Sequence, residues 1–381
     1  MMKTRSTGAA AAGLILLALL GTGGVRPALG AANHWQVGSP VVSQSQCLEA
    51  GIQERWQIPL GFSHRHPDAV AAIWPEGKAV YVATQRGFLI SINARAGTIN
   101  WDAKPARLAQ TMSRPMRYAK GQIMILANGY AKILSVADGR VLKSMNLRKA
   151  PGGRPILFNG RLLLGASYGG FYGLSSSFPD TIRWAQYSRN DSFVSDPVLA
   201  KNGSVTFAGT RGDVWNKDAT DGTGTWKRIL GSSVTAPLST NNKLIFVPCH
   251  NDNLYAFRVA NGRCPWILHL PGQLNSQAVP VGKLVLIISS STGLYGISVA
   301  TGLKVWGPVA HIKKIAAIAR GRLFTVDNHN NLRILRIGTG RELAHVRIPH
   351  AVFYADNTAG AVVYLVTTHG QLVSVAMRQS E

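Results

Sequence analysis

Acidic side chains are scarce in this chain: 17 Asp and Glu stand against 41 Lys and Arg, a formal charge of +24 over 381 residues. With so few carboxylates and no cluster among them, a calcium centre built from several acidic oxygens is not expected. Cysteine is rarer still. Cys47, Cys249 and Cys264 are the three present, no two are adjacent, and none belongs to a Cys-x-x-Cys-His run of the kind that attaches haem. Long helix-period segments are missing, as are a phosphate-cradling Gly loop and a Ser/His/Asp nucleophile context. No apolar stretch reaches the ~20 residues of a spanning helix. The candidate, Ala9 to Leu20, follows Lys3 and Arg5 and precedes the small-residue run Ala28-Leu29-Gly30-Ala31-Ala32. A basic head, a short apolar middle and a small-residue end predict an export signal over residues 1–30, cleaved after Gly30 or Ala32; the alternative is a retained N-terminal anchor. No Cys closes this leader, so no lipoprotein attachment site is expected, and the mature chain is expected in an exported, oxidising compartment.

What the chain has in abundance is glycine, 40 residues, set in a phrase that recurs about every 40 residues. A β-rich run is followed by a Gly or Asn turn, a Leu-x-x-hydrophobic stretch, a second turn ending in Gly, and then Trp. Clear copies are Gly87-Phe-Leu-Ile-Ser-Ile-Asn…Gly97…Trp101, Asn253-Leu-Tyr-Ala-Phe…Gly262…Trp266 and Gly293-Leu-Tyr-Gly-Ile…Gly302…Trp306. Weaker copies surround Gly129, Gly170, Gly212, Asn331 and Gly370. This period, with four short strands per unit, predicts an all-β fold: an eight-bladed β-propeller of four-stranded antiparallel blades. The segment 31–46 reads as a linker and 47–379 as the propeller.

The last unit, from Ala361 through Gly370-Gln-Leu-Val-Ser-Val, stops before its outer strand and Trp. The missing piece stands at the other end of the chain, in Glu54-Arg-Trp56-Gln-Ile-Pro-Leu60. Pairing the two segments would close the ring and leave no open sheet edge between first and last blades. Trp56, Trp101, Trp184, Trp226, Trp266 and Trp306 recur at one repeat position, which assigns them to blade packing rather than to one ligand. Trp74 and Trp215 fall outside that register.

Cys249 and Cys264 follow what read as successive strands of one unit, so they are either a disulfide across the sheet, with Cys47 left over, or inert thiols. His64-x-His66 is the one tight histidine pair and reads as a solvated loop. His250, His329 and His369 each lie near the turn between second and third strands, where they would gather on one rim. The excess positive charge either attracts anionic envelope material or an acidic protein surface, or reflects a general surface bias. In an exported chain nucleic acid is not the expected partner.

The phrase Leu-x-Ala/Ser-Ile/Leu-Asn/Asp-x-x-x-Gly-x-x-x-Trp resembles the repeat of the quinoprotein-like (PQQ-like) propellers. Within them, from Trp56 to Met377, the chain is most similar to the BamB family of the outer-membrane β-barrel assembly machinery. The resemblance implies a periplasmic, non-catalytic scaffold without a cofactor, peripherally associated with the outer membrane, whose partner is a BamA-like assembly factor or a nascent outer-membrane protein. It also implies a partner-binding loop. The matching stretch here is Ser188 to Pro197, with Arg189, Asn190, Asp191, Ser192 and Phe193 as contact residues, Phe193 the apolar anchor and Arg189 the charged clamp. The alternative readings are a PQQ-dependent oxidoreductase-like propeller, although those enzymes usually carry a disulfide between adjacent cysteines, and a binding module for anionic envelope components.

Overall fold

The computed structural model describes residues 40–61, 70–107, 112–188 and 191–378. The predicted export signal and the pair His64 and His66 lie outside these residues. The described chain forms eight four-stranded antiparallel sheets arranged as one ring. Seven sheets are simple meanders over 70–103, 116–146, 156–187, 198–229, 239–269, 279–309 and 312–346; they are blades 1 to 7, each running from an inner to an outer strand. In blade 1 the strands are Val70–Glu76, Ala79–Thr84, Leu89–Asn93 and Ile99–Ala103. Second strands are buried almost throughout, as in Val80 to Thr84, because a neighbouring blade covers each face of the sheet. This double coverage is why the apolar runs are near continuous rather than alternating.

Blade 8 joins the two ends of the chain. Its inner three strands are Ala351–Tyr354, Val362–Thr367 and Gln371–Met377, and its outer strand is Ile52–Pro59. Ile52 pairs with Met377 and Pro59 with Gln371, with a bulge between Glu54 and Trp56. Ile52 and Val375 are both buried in the core that seals this joint.

Each recurrent Trp reaches into the following blade. The indole N–H donates to a backbone carbonyl there: Trp56 to Ala94 at 3.1 Å, Trp101 to Val136 at 2.7 Å, and Trp184 to Ala219 at 3.2 Å. Trp226, Trp266 and Trp306 do the same to Val259, Val299 and Ile337, each at 2.9 Å. Each ring lies flat on the glycine three residues beyond its acceptor, from Gly97 to Gly340. Those glycines have φ of 66–77° and no room for a Cβ, so the turn and the ring require the same residue type.

Two blades lack the Trp, and in both cases the next blade shows why. In blade 2 the register places Lys143 there, and the facing hairpin, 176–181, contains no glycine. Lys143 reaches the Ser177 carbonyl at 3.4 Å and stands 5.3 Å from the Phe178 ring instead. In blade 7 the position is Ala344. Blade 8 has no hairpin opposite it, because its two outer strands come from opposite ends of the chain. The short helix Gln44–Ala50 fills that space, packing Cys47 and Ala50, with the preceding Val42, in one core with Ala344 and Val346. Gly51, at φ 63°, turns the chain out of this helix into the closing strand, and the Arg322 guanidinium donates to the Ala50 carbonyl at 3.1 Å. The helix begins inside the segment that the sequence suggested was a linker.

Candidate protein-binding face

A four-stranded meander has two ends, and in a propeller they become two different faces. One face carries the hairpins between first and second and between third and fourth strands. The other carries the turns between second and third strands together with the links from blade to blade. Backbone bonds tie the members of each face together: on the link face Leu147 N–H donates to Gly129 O, Leu230 to Gly212 O and Thr368 to His350 O, at 2.8–2.9 Å.

The link face holds a cleft of about 860 Å³ over blades 2 and 3, between the 147–155 link and the turn at Asn128 and Gly129. Trp74 and Tyr130 supply aromatic surface, and Arg114, Arg148, Lys149 and Arg154 supply positive charge. Arg114 is held by Glu76 and by the Pro75 carbonyl at 3.2 Å. Arg154 is held by Asp196, which accepts its backbone N–H at 2.7 Å and lies 3.5 Å from its guanidinium. Lys149 lies over the Tyr172 ring at 5.0 Å. Arg148 sits at φ 51°, fixed by its N–H bond to Asn146 Oδ1 at 2.8 Å. Buried Asn128 Oδ1 in the wall has no partner. The cleft is therefore rigid and positively charged, with apolar patches. It suits a polypeptide segment carrying carboxylates and hydrophobic side chains.

The loop after blade 3 forms the floor beside this cleft. A Cβ on Gly152 would stand 2.6 Å from Phe193 O, and one on Gly153 2.6 Å from Ser195 O, so the Gly-Gly pair lets two loops pack backbone to backbone. Here the sequence expectation needs correction. Arg189 and Asn190 lie outside the described residues. Asp191 is 3% exposed, and its Oδ1 accepts from Ser192 N–H, Thr210 Oγ1 and Arg211 N–H at 2.8–3.1 Å. Phe193 is fully buried, edge-on to Phe171 and Phe207. An internally bonded carboxylate and a core phenyl cannot anchor a partner; they hold the loop in place. Ser192 is half-buried and donates to Ser167 O at 2.7 Å. The signal that could have revealed the cleft was the run Arg148-Lys-Ala-Pro-Gly-Gly-Arg154, where basic residues flank glycines outside any hairpin.

The disulfide between Cys249 and Cys264 does not form. All three cysteines are free. Cys249 follows a second strand and points to Ser232 O and Ser233 O at 3.5 and 3.4 Å on the link face. Cys264 follows the hairpin at the other end of the same blade, with its thiol 3.1 Å from Trp266 O. The intervening strand Asn253–Arg258 carries the chain from one face to the other, which separates the two sulfurs. Burial raises the pKa of all three thiols.

His250, His329 and His369 occupy second-to-third-strand turns, on the link face. Among the described residues no group of three His, Cys, Asp or Glu side chains is placed to hold a metal ion. A second hollow, of about 830 Å³, runs between the short helix and the closing strand, lined by Val42, Cys47, Leu48, Trp56 and Arg378. Glu54 in its wall has its pKa raised by burial, against the opposing N–H bonds of Val42 and Val41.

The family model described as outer membrane protein assembly factor BamB matches residues 179–381, more than half of the chain. The chain belongs to the BamB family. The BamB of Moranella endobia is 24% identical over 259 residues, covering 63% of this chain and 65% of that protein, so the chain spans just under two thirds of that relative. Among solved structures, BamB from Moraxella catarrhalis superposes with a TM-score of 0.68 at 13% identity, covering 87% of this chain and 99% of that one. The quinohemoprotein alcohol dehydrogenase of Comamonas testosteroni superposes with a TM-score of 0.63 at 11% identity, covering 89% and 78%. These structural likenesses are likenesses of fold. Among the described residues of this BamB-family chain, no helix is long and apolar enough to cross a membrane.

Proposed function

We propose that this protein is a non-catalytic periplasmic scaffold that helps outer-membrane β-barrel proteins to assemble, by holding an assembly factor or a nascent substrate against the link face. The observation that carries the reading is the cleft over blades 2 and 3 in a chain of the BamB family. Its cations are placed by loop backbone and side-chain bonds rather than by a mobile tip. A preformed surface of this kind spares a partner the entropy of ordering the loops. The contact residues proposed are Arg148, Lys149, Tyr130 and Trp74, together with Ser192 and with Arg189 and Asn190, which precede it in the chain.

Affinity purification of the tagged protein from cross-linked cell envelopes tests this. The expected result is recovery of an outer-membrane assembly complex, lost in the double variant Arg148→Glu, Lys149→Glu and retained in a variant changed on the opposite face. Recovery of only a soluble redox partner would overturn the scaffold reading.

A further inference from the structure

We propose that the hairpin face, opposite the cleft, is a docking surface for an anionic lipid bilayer. The inference does not rest on the protein-binding role. It begins with the hairpins between first and second strands, which ring the mouth of the central channel. In blades 1, 2, 4, 5, 6 and 7 these hairpins carry Lys78, Lys120, Lys201, Lys243, Lys283 and Arg320, all exposed. None of the six takes part in an ion pair among the described residues. In blade 3 the corresponding Arg161 is drawn in and donates to Thr220 O at 3.0 Å; in blade 8 the turn carries Asp356, paired with Lys314 at 3.1 Å.

The neighbouring hairpins lie on the same face, because a backbone bond joins the two in each of the first seven blades, as from Ala94 N to Lys78 O and from Val299 N to Lys283 O, both at 2.9 Å. They add exposed Arg95, Arg140, Arg263 and Arg341. Acidic groups here are fewer than the cations: Asp138, Asp180, Asp221 and Asp356 are the exposed carboxylates of these hairpins outside Glu342, which pairs with Arg333. Glu76 holds Arg114, and Asp138 and Asp221 accept N–H bonds within their own turns, from Arg140 at 3.2 Å and Thr223 at 2.8 Å.

Exposed cations in six of the eight blades, spread around a flat disc, match a planar lattice of negative charges that can meet all of them at once. A single acidic peptide would engage only one side of such a ring. Apolar tips project from the same face: Phe178 is 64% exposed and Leu303 67%. Charged residues interleaved with an exposed Phe and Leu suit the boundary between headgroups and acyl chains. Each Lys or Arg near an anionic surface raises the affinity about fivefold, so the attraction is cumulative and salt-dependent.

The test is sedimentation of the purified full-length protein with vesicles of phosphatidylcholine alone or of phosphatidylcholine with phosphatidylglycerol. Binding is expected only to the anionic vesicles and is lost as salt rises from about 0.1 to about 1 M. The quadruple variant Lys120→Gln, Lys201→Gln, Lys243→Gln, Lys283→Gln should weaken it on the order of 1,000-fold. A matched link-face variant, Lys104→Gln, Arg211→Gln, Lys313→Gln, Arg347→Gln, removes the same charge and should bind nearly as the parent does. Thermal melts of both variants check that the fold persists, and Phe178→Ser with Leu303→Ser should weaken binding without changing its salt slope. Equal losses in the two quadruple variants, indifference to phosphatidylglycerol, or binding to polyglutamate but not to vesicles would each overturn the proposal.

Discussion

The indole of Trp226 lies against Gly262 of the next blade, its N–H 2.9 Å from the Val259 carbonyl; a Cβ on Gly262 would come within 2.6 Å of the ring. Gly262→Ala therefore meets two obstacles, a left-handed backbone at φ 66° and an occupied space. The expected cost is about 2–4 kcal/mol in denaturant unfolding. Gly321 has φ 74° with nothing within 4 Å of its Cβ position, so Gly321→Ala should cost only about 1–2 kcal/mol. Equal costs would mean that ring packing adds nothing.

Ile52 is the first residue of the closing strand and is 1% exposed. Ile52→Ala should lower stability by about 2–5 kcal/mol. The loss should appear mainly as faster unfolding if the ring opens first at the pairing of chain ends, a point that stopped-flow denaturation can decide.

Asp327 closes the turn of blade 7. Burial alone would raise its pKa, but N–H bonds from Asn331 and His329, the Asn331 amide and the nearby His345 outweigh it, and the net shift is downward. A depressed carboxyl pKa contributes stability above the unfolded value of about 3.9, and that contribution disappears as pH falls through the folded value. Asp327→Asn should cost about 1–3 kcal/mol at pH 7. The gap between parent and variant should narrow as pH drops from about 5 to below 3, followed by urea midpoints. A gap that stays constant over that range would assign the cost to shape alone.

With no disulfide, the denatured protein without reductant should take up three equivalents of a thiol reagent, matching the three cysteines. In the native state Cys264 alone is exposed and should react, slowly because its pKa is raised. Uptake of a single equivalent after denaturation would show that two of the three cysteines are bonded.

Phe193→Ala should behave as a core truncation, costing about 3–5 kcal/mol. Partner affinity should change only as far as the loop is disturbed. A variant of normal stability that no longer binds would return Phe193 to the role of a contact.

The fold was legible because its instructions repeat. A turn glycine, an apolar run and a Trp at one spacing specify a blade, and the absent outer strand after Met377 called for the one carrying Trp56. The site was not legible for the opposite reason. Arg148, Lys149 and Arg154 belong to no repeat, and only the packing of Gly152 and Gly153 against the 191–196 loop brings them to one cleft. Asp191 and Phe193 look like a polar loop with an exposed aromatic, yet the loop folds inward, so local composition pointed the wrong way.

Sequence alone thus determined the blade count, the four-strand unit and the pairing of chain ends, since these depend on local turn chemistry and periodic burial. Tertiary structure decided what lies beside what: that Cys249 and Cys264 face opposite ends of a blade, that a helix fills the gap beside Ala344, and that the cations divide into a cleft and a crown. Such relations depend on contacts between distant segments, and no short-range pattern encodes them.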